Sequence, residues 1–258
     1  MLQTYLKAEN LKYKRSLFRK LIILIPTALI MISMVFIFIG IGLGGFSSAM
    51  VSNWSMPIAS LSIVILCHLV NKKDQKHKYR TIYSLPIDLK KTFISKTILI
   101  ALNHLIISLF LSLITIISEG ISSGVLVSMG HSGYYILGYY ILGYCLLWLS
   151  LLWQIPFCLF LDQKIGFIGS VIINLFASAL GGLFFSLTPL FWFFPYSWSA
   201  RFMVTCFGVL PNGLWVEAHS RYILNLGECS LLVLISVLAM LILSALLSRW
   251  YRRQVYRN

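Results

Sequence analysis

The sequence predicts an all-α integral membrane protein with six transmembrane helices, an N-terminal interfacial helix, a short cytoplasmic helix and short re-entrant helices on the outer side. Composition gives the class, because 59% of the residues are hydrophobic and only 11% are charged. A soluble domain carries roughly twice that charged fraction. Basic segments also alternate along the chain with apolar stretches of membrane-spanning length.

Six continuously apolar stretches each hold about the 20 residues that a helix needs to cross the hydrocarbon core. Because they do not alternate polar with apolar residues, and because backbone in lipid must satisfy its own hydrogen bonds, helices are favoured over strands. The fourth and fifth are too long for upright spans, so we expect tilt or re-entrant ends. The stretches are 21–44, 50–70, 97–118, 134–161, 165–193 and 230–248, in a transmembrane domain at 21–248.

The basic residues sort strongly between the two sides of this arrangement. Of 21 Lys and Arg residues, 19 fall on one side and only Arg201 and Arg221 on the other. The positive-inside rule then places both termini in the cytoplasm. The net charge of +14 indicates contact with anionic lipid headgroups and requires no nucleic acid. The cytoplasmic segments are the tail 1–20, the loop 71–96, the turn at Lys164 and the tail 249–258.

The N-terminal segment 1–20 predicts an amphipathic helix in the cytoplasmic interface. Leu2, Leu6, Tyr13 and Leu17 recur at helical spacing among basic residues. The alternative is a disordered basic tail, which needs no such spacing.

The loop 71–96 predicts a short cytoplasmic helix over 86–95. Pro86 suits the first turn of a helix, where its missing N–H costs nothing. Asp88 at the start and Lys90, Lys91 and Lys96 towards the end complement the helix dipole. Leu85, Leu89 and Phe93 form one apolar stripe. The alternative is that the charges serve only to orient the chain.

The outer segment 194–229 is aromatic and apolar rather than hydrophilic, with Trp198, Phe202 and Trp215 as its most prominent rings. An ordinary surface loop is more polar, so we expect short helices that dip into the outer interface before the last span. Cys206 and Cys229 both lie on this side and are candidates for a disulfide, whereas packing as free thiols is the other reading.

Polar residues inside the predicted spans are few: Asn103, His104, Gln154 and Asn174. Such groups mark a translocation path or make interhelical hydrogen bonds. No predicted span contains a carboxylate, which argues against a proton-coupled carrier. The sequence also lacks a G-x-x-x-x-G-K-[ST] phosphate loop, hydrolase motifs and metal-ligand spacing. We therefore expect no enzyme activity and no metal or cofactor bound by this chain.

Three short motifs carry a resemblance that extends over nearly the whole chain. They are the basic run from Lys7 to Leu21, the Tyr83-Ser84-Leu85-Pro86-Ile87 element and Leu210-Pro211-Asn212-Gly213. Together with six spans and broken outer helices, they resemble ABC-2-type transporter permeases. Within that group, the chain is similar to permeases of the lantibiotic-immunity (MutE/EpiE/MutG-like) family.

The resemblance implies a multi-pass permease subunit in the plasma membrane of a Gram-positive bacterium. Two copies of a separate ABC ATPase would bind ATP and Mg. A second permease, identical or paralogous, would complete the exporter, which would be in contact with membrane lipids. The substrate would be a lantibiotic peptide. The implied ATPase-coupling helix would contribute Tyr83, Ser84, Leu85, Pro86, Ile87, Asp88, Leu89 and Phe93, while Trp198, Phe202 and Trp215 would meet the substrate.

Two other readings stay open from the sequence. One is an ABC-2 permease for a lipid, a polysaccharide or a drug, and the other is a non-transporting membrane scaffold or sensor subunit.

Overall fold

The protein is described by a computed structural model over residues 2–14, 16–39, 45–75, 88–122, 131–217 and 220–253. Within these residues the chain is helical and contains no β-strand, which confirms the predicted all-α class; a lone antiparallel bridge joins Val209 and Trp215. The helices are α1 (Leu2–Lys12), α2 (Leu17–Phe38), α3 (Phe46–Asn53), α4 (Ala59–Gln75), α5 (Leu89–Ser122), α6 (His131–Leu151), α7 (Gln154–Leu180), α8 (Trp198–Phe207) and α9 (Leu226–Arg253). Two π-helical turns (Trp54–Ile58 and Gly181–Phe185) and two 3-10 turns (Pro189–Phe193 and Pro195–Ser197) extend or connect them.

Five helical segments of the described chain are long and apolar enough to cross a membrane, as expected for a multi-pass membrane protein. The predicted fourth span does not form one uninterrupted helix, because a turn at Leu152 and Trp153 separates α6 from α7. Within the part of α6 whose side chains are described, the apolar helix runs over Gly138–Leu151. The five segments are Leu17–Phe38, Phe46–Asp74, Leu89–Gly120, Gln154–Phe185 and Leu226–Arg252.

Helix α7 is a hairpin of two antiparallel legs, 154–165 and 167–180. Gly166 has φ +76°, a conformation that glycine adopts without steric cost and that ends a right-handed helix. Cys158 Sγ lies 3.3 Å from Asn174 Oδ1. Sixteen residues of continuous helix would separate these side chains by about 24 Å, so the chain reverses direction at Gly166.

Helix α6 runs antiparallel to α5. The hydroxyls of Thr115 and Tyr144 are 2.9 Å apart, while Trp148 Nε1 donates to the carbonyl of Ala101 at 3.0 Å. The two helices therefore run in opposite directions.

The first leg of α7 runs parallel to α4. Cys67 Sγ donates to the carbonyl of Ile155 at 3.6 Å, and Asn71 Nδ2 donates to the carbonyl of Leu159 at 3.1 Å. Helices α4 and α5 are antiparallel, because Asp74 at the end of α4 meets Lys96 near the start of α5, while Trp54 before α4 stacks on His104 further along α5. Helix α6 and the first leg of α7 therefore point the same way.

The ends of the bundle differ in chemistry. At one end, Asp74 of α4, Lys96 of α5 and Tyr251 of α9 meet, and we call this the basic end. At the other, the far end, lie the short turns after α7, helix α8 and the chain leading into α9, whose Leu224 N–H donates to Thr205 Oγ1 at 3.2 Å.

Helix α1 is shorter than the predicted segment 1–20. It ends at Lys12, and the N–H of Tyr13 closes a turn on the carbonyl of Asn10 at 3.3 Å before α2 begins at Leu17. Tyr13 is buried, but Leu11 and Leu17 are exposed. The face of α1 that packs on the bundle includes Glu9 and Leu6, and the apolar stripe facing the membrane interface stays a prediction.

All five cysteines are free thiols, including the candidate pair Cys206 and Cys229. Burial raises the pKa of the Cys206 thiol to about 12. The thiolate that disulfide formation requires is therefore scarce at this position.

Candidate functional site

Four helices are joined at the basic end by a cluster of buried charges. Lys96 Nζ of α5 pairs with one carboxylate oxygen of Asp74 at the end of α4, and Lys12 Nζ of α1 pairs with the other. Lys96 Nζ is also 3.3 Å from the hydroxyl of Tyr251 in α9. The side chains of Lys96 and Asp74 are only 1% and 2% exposed. We call Glu9, Lys12, Asp74, Lys96 and Tyr251 the ionic cluster.

A second set of contacts fixes α1 to the end of α4 beside this cluster. The hydroxyl of Tyr13 donates to the carbonyl of Val70 at 3.0 Å, and Lys73 Nζ donates to the carbonyl of Lys12 while lying 4.7 Å from the Tyr13 ring. Glu9 is 3.8 Å from Lys12, and burial raises the pKa of its carboxyl. These contacts hold α1 against the end of α4.

Sequence reasoning missed the ionic cluster. It placed Lys12 in an interfacial helix and Lys96 at the end of a short cytoplasmic helix, and it treated Asp74 as part of a loop, so it paired none of them. Helix α4 in fact continues to Gln75, which brings Asp74 onto the bundle. The partners are 22 and 62 residues apart from Asp74 in sequence, so no local spacing could have indicated them.

The predicted coupling segment falls partly outside the described residues, which do not include Tyr83, Ser84, Leu85, Pro86 and Ile87. From residue 89 the chain is helical, but it forms the start of the long helix α5 and not a separate short helix. The reason is the absence of any Pro or Gly between Leu89 and Glu119.

Asp88 starts α5, as the sequence suggested, because its side chain accepts from the N–H of Lys90 at 3.0 Å. Leu89 and Phe93 are buried, and the Phe93 ring is 5.6 Å from that of Tyr251. Phe93 is completely buried within this chain. It supports the position of Tyr251 beside the ionic cluster.

A further polar site lies at the tip of the α7 hairpin. Asp162 is 1% exposed; one carboxylate oxygen is 2.8 Å from His68 Nδ1 and the other accepts from Asn71 Nδ2 at 2.9 Å. Gln163 Nε2 adds a bond to Asn71 Oδ1 at 3.2 Å. Sequence reasoning found no carboxylate in a span and overlooked Asp162, which locks the hairpin to α4.

The four predicted intramembrane polar residues are buried but do not share one site. Asn174 is fully bonded, accepting from the Tyr196 hydroxyl at 2.8 Å and donating to the carbonyl of Ser170 at 2.8 Å. Asn103 donates to the carbonyl of Leu99 in its own helix at 2.8 Å. His104 stacks on Trp54, with ring centroids 5.2 Å apart.

Gln154 follows the turn between α6 and α7. It is completely buried, and its amide has no hydrogen-bond partner within the described part of the chain. Asn174 thus bonds beyond its own helix, whereas the bond of Asn103 stays within α5. Gln154 keeps an unused polar group in the interior.

The three predicted substrate contacts at the far end separate into two environments. Trp198 is 3% exposed and its Nε1 donates to the carbonyl of Phe191 at 3.1 Å, and Phe202 is completely buried. Only Trp215 presents a surface, with 49% exposure. Helix α8 packs against α6 and α3 within the protein, so Trp198 and Phe202 belong to the core.

A cavity of about 160 Å³ opens beside Trp215's loop at the far end. Its polar lining comes from Ser52, Asn53 and Asn212, and its volume suits one side chain or a few water molecules. The remaining lining residues are Phe36, Ala49, Pro211 and Gly213.

The long apolar helices, together with the basic end and the far end of the bundle, are those of a helical membrane subunit. Residues 5–181 match the family profile described as ABC-2 family transporter protein, and this chain belongs to that family. It is a transmembrane permease subunit of an ABC exporter, and such subunits are generally non-catalytic. Membership implies partnership with an ABC ATPase subunit. Neither the curated proteins nor the solved structures gave a match.

Proposed function

We propose that this permease expels lantibiotic-type antimicrobial peptides from the plasma membrane of a Gram-positive bacterium and so gives self-immunity or resistance. Two copies of a separate ABC ATPase bind ATP and Mg and drive it, together with a second permease that is identical or paralogous. The family match supports the exporter. The aromatic far end, which keeps Trp215 half exposed, supports a substrate that is taken from the membrane.

We further propose six membrane crossings with both termini in the cytoplasm. Helix α6 and the leg 154–165 point the same way and together form the fourth crossing, while the leg 167–180 with its π-helical extension forms the fifth. The reversal at Gly166 supports this count. The concentration of Lys and Arg at the basic end supports the orientation.

In this proposal the ATPase docks at the basic end and the ionic cluster passes its movement to the spans. A buried ion pair holds its partners in one geometry, since separating them exposes a charge to an apolar interior. Lys12, Asp74, Lys96 and Tyr251 link α1 to three long helices. Displacing α1 therefore shifts α4, α5 and α9 together.

At the far end, an amphipathic peptide that partitions into the outer leaflet meets the exposed apolar surface around Trp215. Leu214 and Ile223 are also exposed there. Aromatic rings at headgroup depth have an apolar body and a polar edge, which suits an amphipathic ligand.

The function is tested in a lantibiotic-sensitive host that expresses the chain with its cognate ATPase. We expect a higher inhibitory concentration of the peptide than in cells carrying the same ATPase with its Walker lysine replaced. If the chain raises the inhibitory concentration equally with the active and the inactive ATPase, a non-transporting role is favoured. If it raises the inhibitory concentration with neither ATPase, export of a lipid, a polysaccharide or a drug is favoured.

Replacing Trp215 should separate substrate contact from folding. We expect Trp215→Ala to express normally and to lower resistance, because half of this ring is exposed. Trp198→Ala, the matched control, should instead lose about 3–5 kcal/mol of stability and express poorly, because a buried tryptophan leaves a cavity. Full resistance in Trp215→Ala would remove this ring from the substrate path.

A further inference from the structure

The only two basic residues of the segment between α7 and α9 converge on one ring. The guanidinium carbon of Arg201 lies 5.9 Å from the centroid of Tyr222, and that of Arg221 lies 5.3 Å from it. Arg221 Nη2 also reaches the Tyr222 hydroxyl at 3.3 Å. Two cations that the sequence separates by twenty positions thus both lie against the ring of Tyr222 at the far end.

Arg201 is buried, and one of its guanidinium donors is unused. Its residue is 7% exposed, and Nη1 donates to the carbonyl of Ser186 at 3.0 Å. Nε has no partner within the described residues, although a guanidinium offers five N–H donors. The Phe191 ring, 4.7 Å away, supplies a π face but accepts no charge.

No acidic residue of the described chain forms an ion pair with Arg201. The carboxylate of Glu228 acts on it only through its longer-range field, because that carboxylate accepts from the N–H of Asn225 at 2.9 Å at the start of α9. Burial lowers the pKa of Arg201. A guanidinium does not lose its proton in proteins, so its charge calls for an anion from elsewhere.

We propose that Arg201, Arg221 and Tyr222 form a binding site for a phosphate oxyanion at the far end, and that an anionic phospholipid headgroup in the outer leaflet occupies it. The planar fork of a guanidinium matches two oxygens of a phosphate, and two such forks give geometric specificity. The Tyr222 hydroxyl adds a third group at the same place. The site is independent of the substrate that the permease exports.

The test uses the purified full chain in nanodiscs of phosphatidylcholine, with and without phosphatidylglycerol, and native mass spectrometry to count retained lipids. We expect selective retention of phosphatidylglycerol. Arg221→Gln should weaken that retention about tenfold, since a hydrogen bond to a charged group is worth a factor of this order. Arg221 is exposed, so this change does not threaten folding. The matched control is Arg249→Gln, which removes the same charge at the other end of the bundle.

A second arm adds inorganic phosphate to the phosphatidylcholine nanodiscs and measures the unfolding temperature. If phosphate raises the unfolding temperature of the unmodified protein but not that of Arg221→Gln, the phosphate site is supported and its ligand is a free anion. Equal retention of the two lipids, with no effect of phosphate, would overturn the site. Arg201→Lys keeps the positive charge but removes the planar guanidinium. We therefore expect it to reduce the selectivity for phosphatidylglycerol.

Discussion

Replacing Asp74 with asparagine should destabilise the protein by about 3–5 kcal/mol, because it leaves the buried ammonium of Lys96 without its carboxylate. Lys96 would retain the Tyr251 hydroxyl, which is neutral. We expect the loss in denaturant unfolding of the detergent-solubilised protein. The matched control is Asp88→Asn, whose carboxylate is 38% exposed and pairs with Lys91 at 3.5 Å. A pair this exposed contributes at most about 1 kcal/mol.

An apolar double replacement distinguishes a structural role of the ionic cluster from a coupling role. Asp74→Leu combined with Lys96→Met removes both charges, and such replacements often recover the stability that a single change loses. We expect this variant to fold and bind the ATPase yet to lose resistance, because the joint between α4 and α5 no longer has a defined geometry. If Asp74→Asn lowers the free energy of unfolding no more than Asp88→Asn does, the ionic cluster does not hold α4 and α5 together.

The second large effect is expected at Gly181, where the end of α7 passes against backbone. A Cβ at this position would lie 2.7 Å from the carbonyl carbon of Tyr196 and 2.9 Å from the nitrogen of Ser197. Backbone of the 3-10 turn Pro195–Ser197 cannot retreat as a side chain can. Gly181→Ala should therefore cost about 1–3 kcal/mol through overpacking, despite the better helix propensity of alanine.

Two other glycines give a graded comparison for this change. Gly182→Ala would meet only the flexible side chain of Met56, so its cost should be smaller. Gly138→Ala has nothing within 4 Å and should be neutral or stabilise the protein by up to about 1 kcal/mol. The unfolding measurement contradicts this account if Gly181→Ala ranks with Gly138→Ala.

Local sequence patterns predicted the features of this protein that depend on neighbouring residues. Continuous apolar runs indicated the long helices, and Asp88 marked the start of α5. The reversal at Gly166 lies one residue inside the predicted fifth stretch, beside the turn expected at Lys164. In each case the deciding residues lie within a few positions of one another.

Features that depend on distant pairs were not predictable in this way. Asp162 pairs with His68 across 94 positions, and Lys96 meets Tyr251 across 155. Trp198 and Phe202 looked like a membrane-facing surface because an aromatic residue facing lipid and one packed in a core have the same composition. Only the contacts of α8 with its neighbours distinguish these environments.

In the proposed orientation the basic end is cytoplasmic and receives an ABC ATPase. The most direct measurement places a photo-crosslinking amino acid at Lys164, exposed at the tip of the α7 hairpin, and in a matched variant at Asn212 of the far end. After illumination of intact cells, mass spectrometry identifies any protein joined to the chain. We predict an adduct with an ABC ATPase from position 164 and none from position 212. An ATPase adduct from position 212, with none from position 164, would contradict the account.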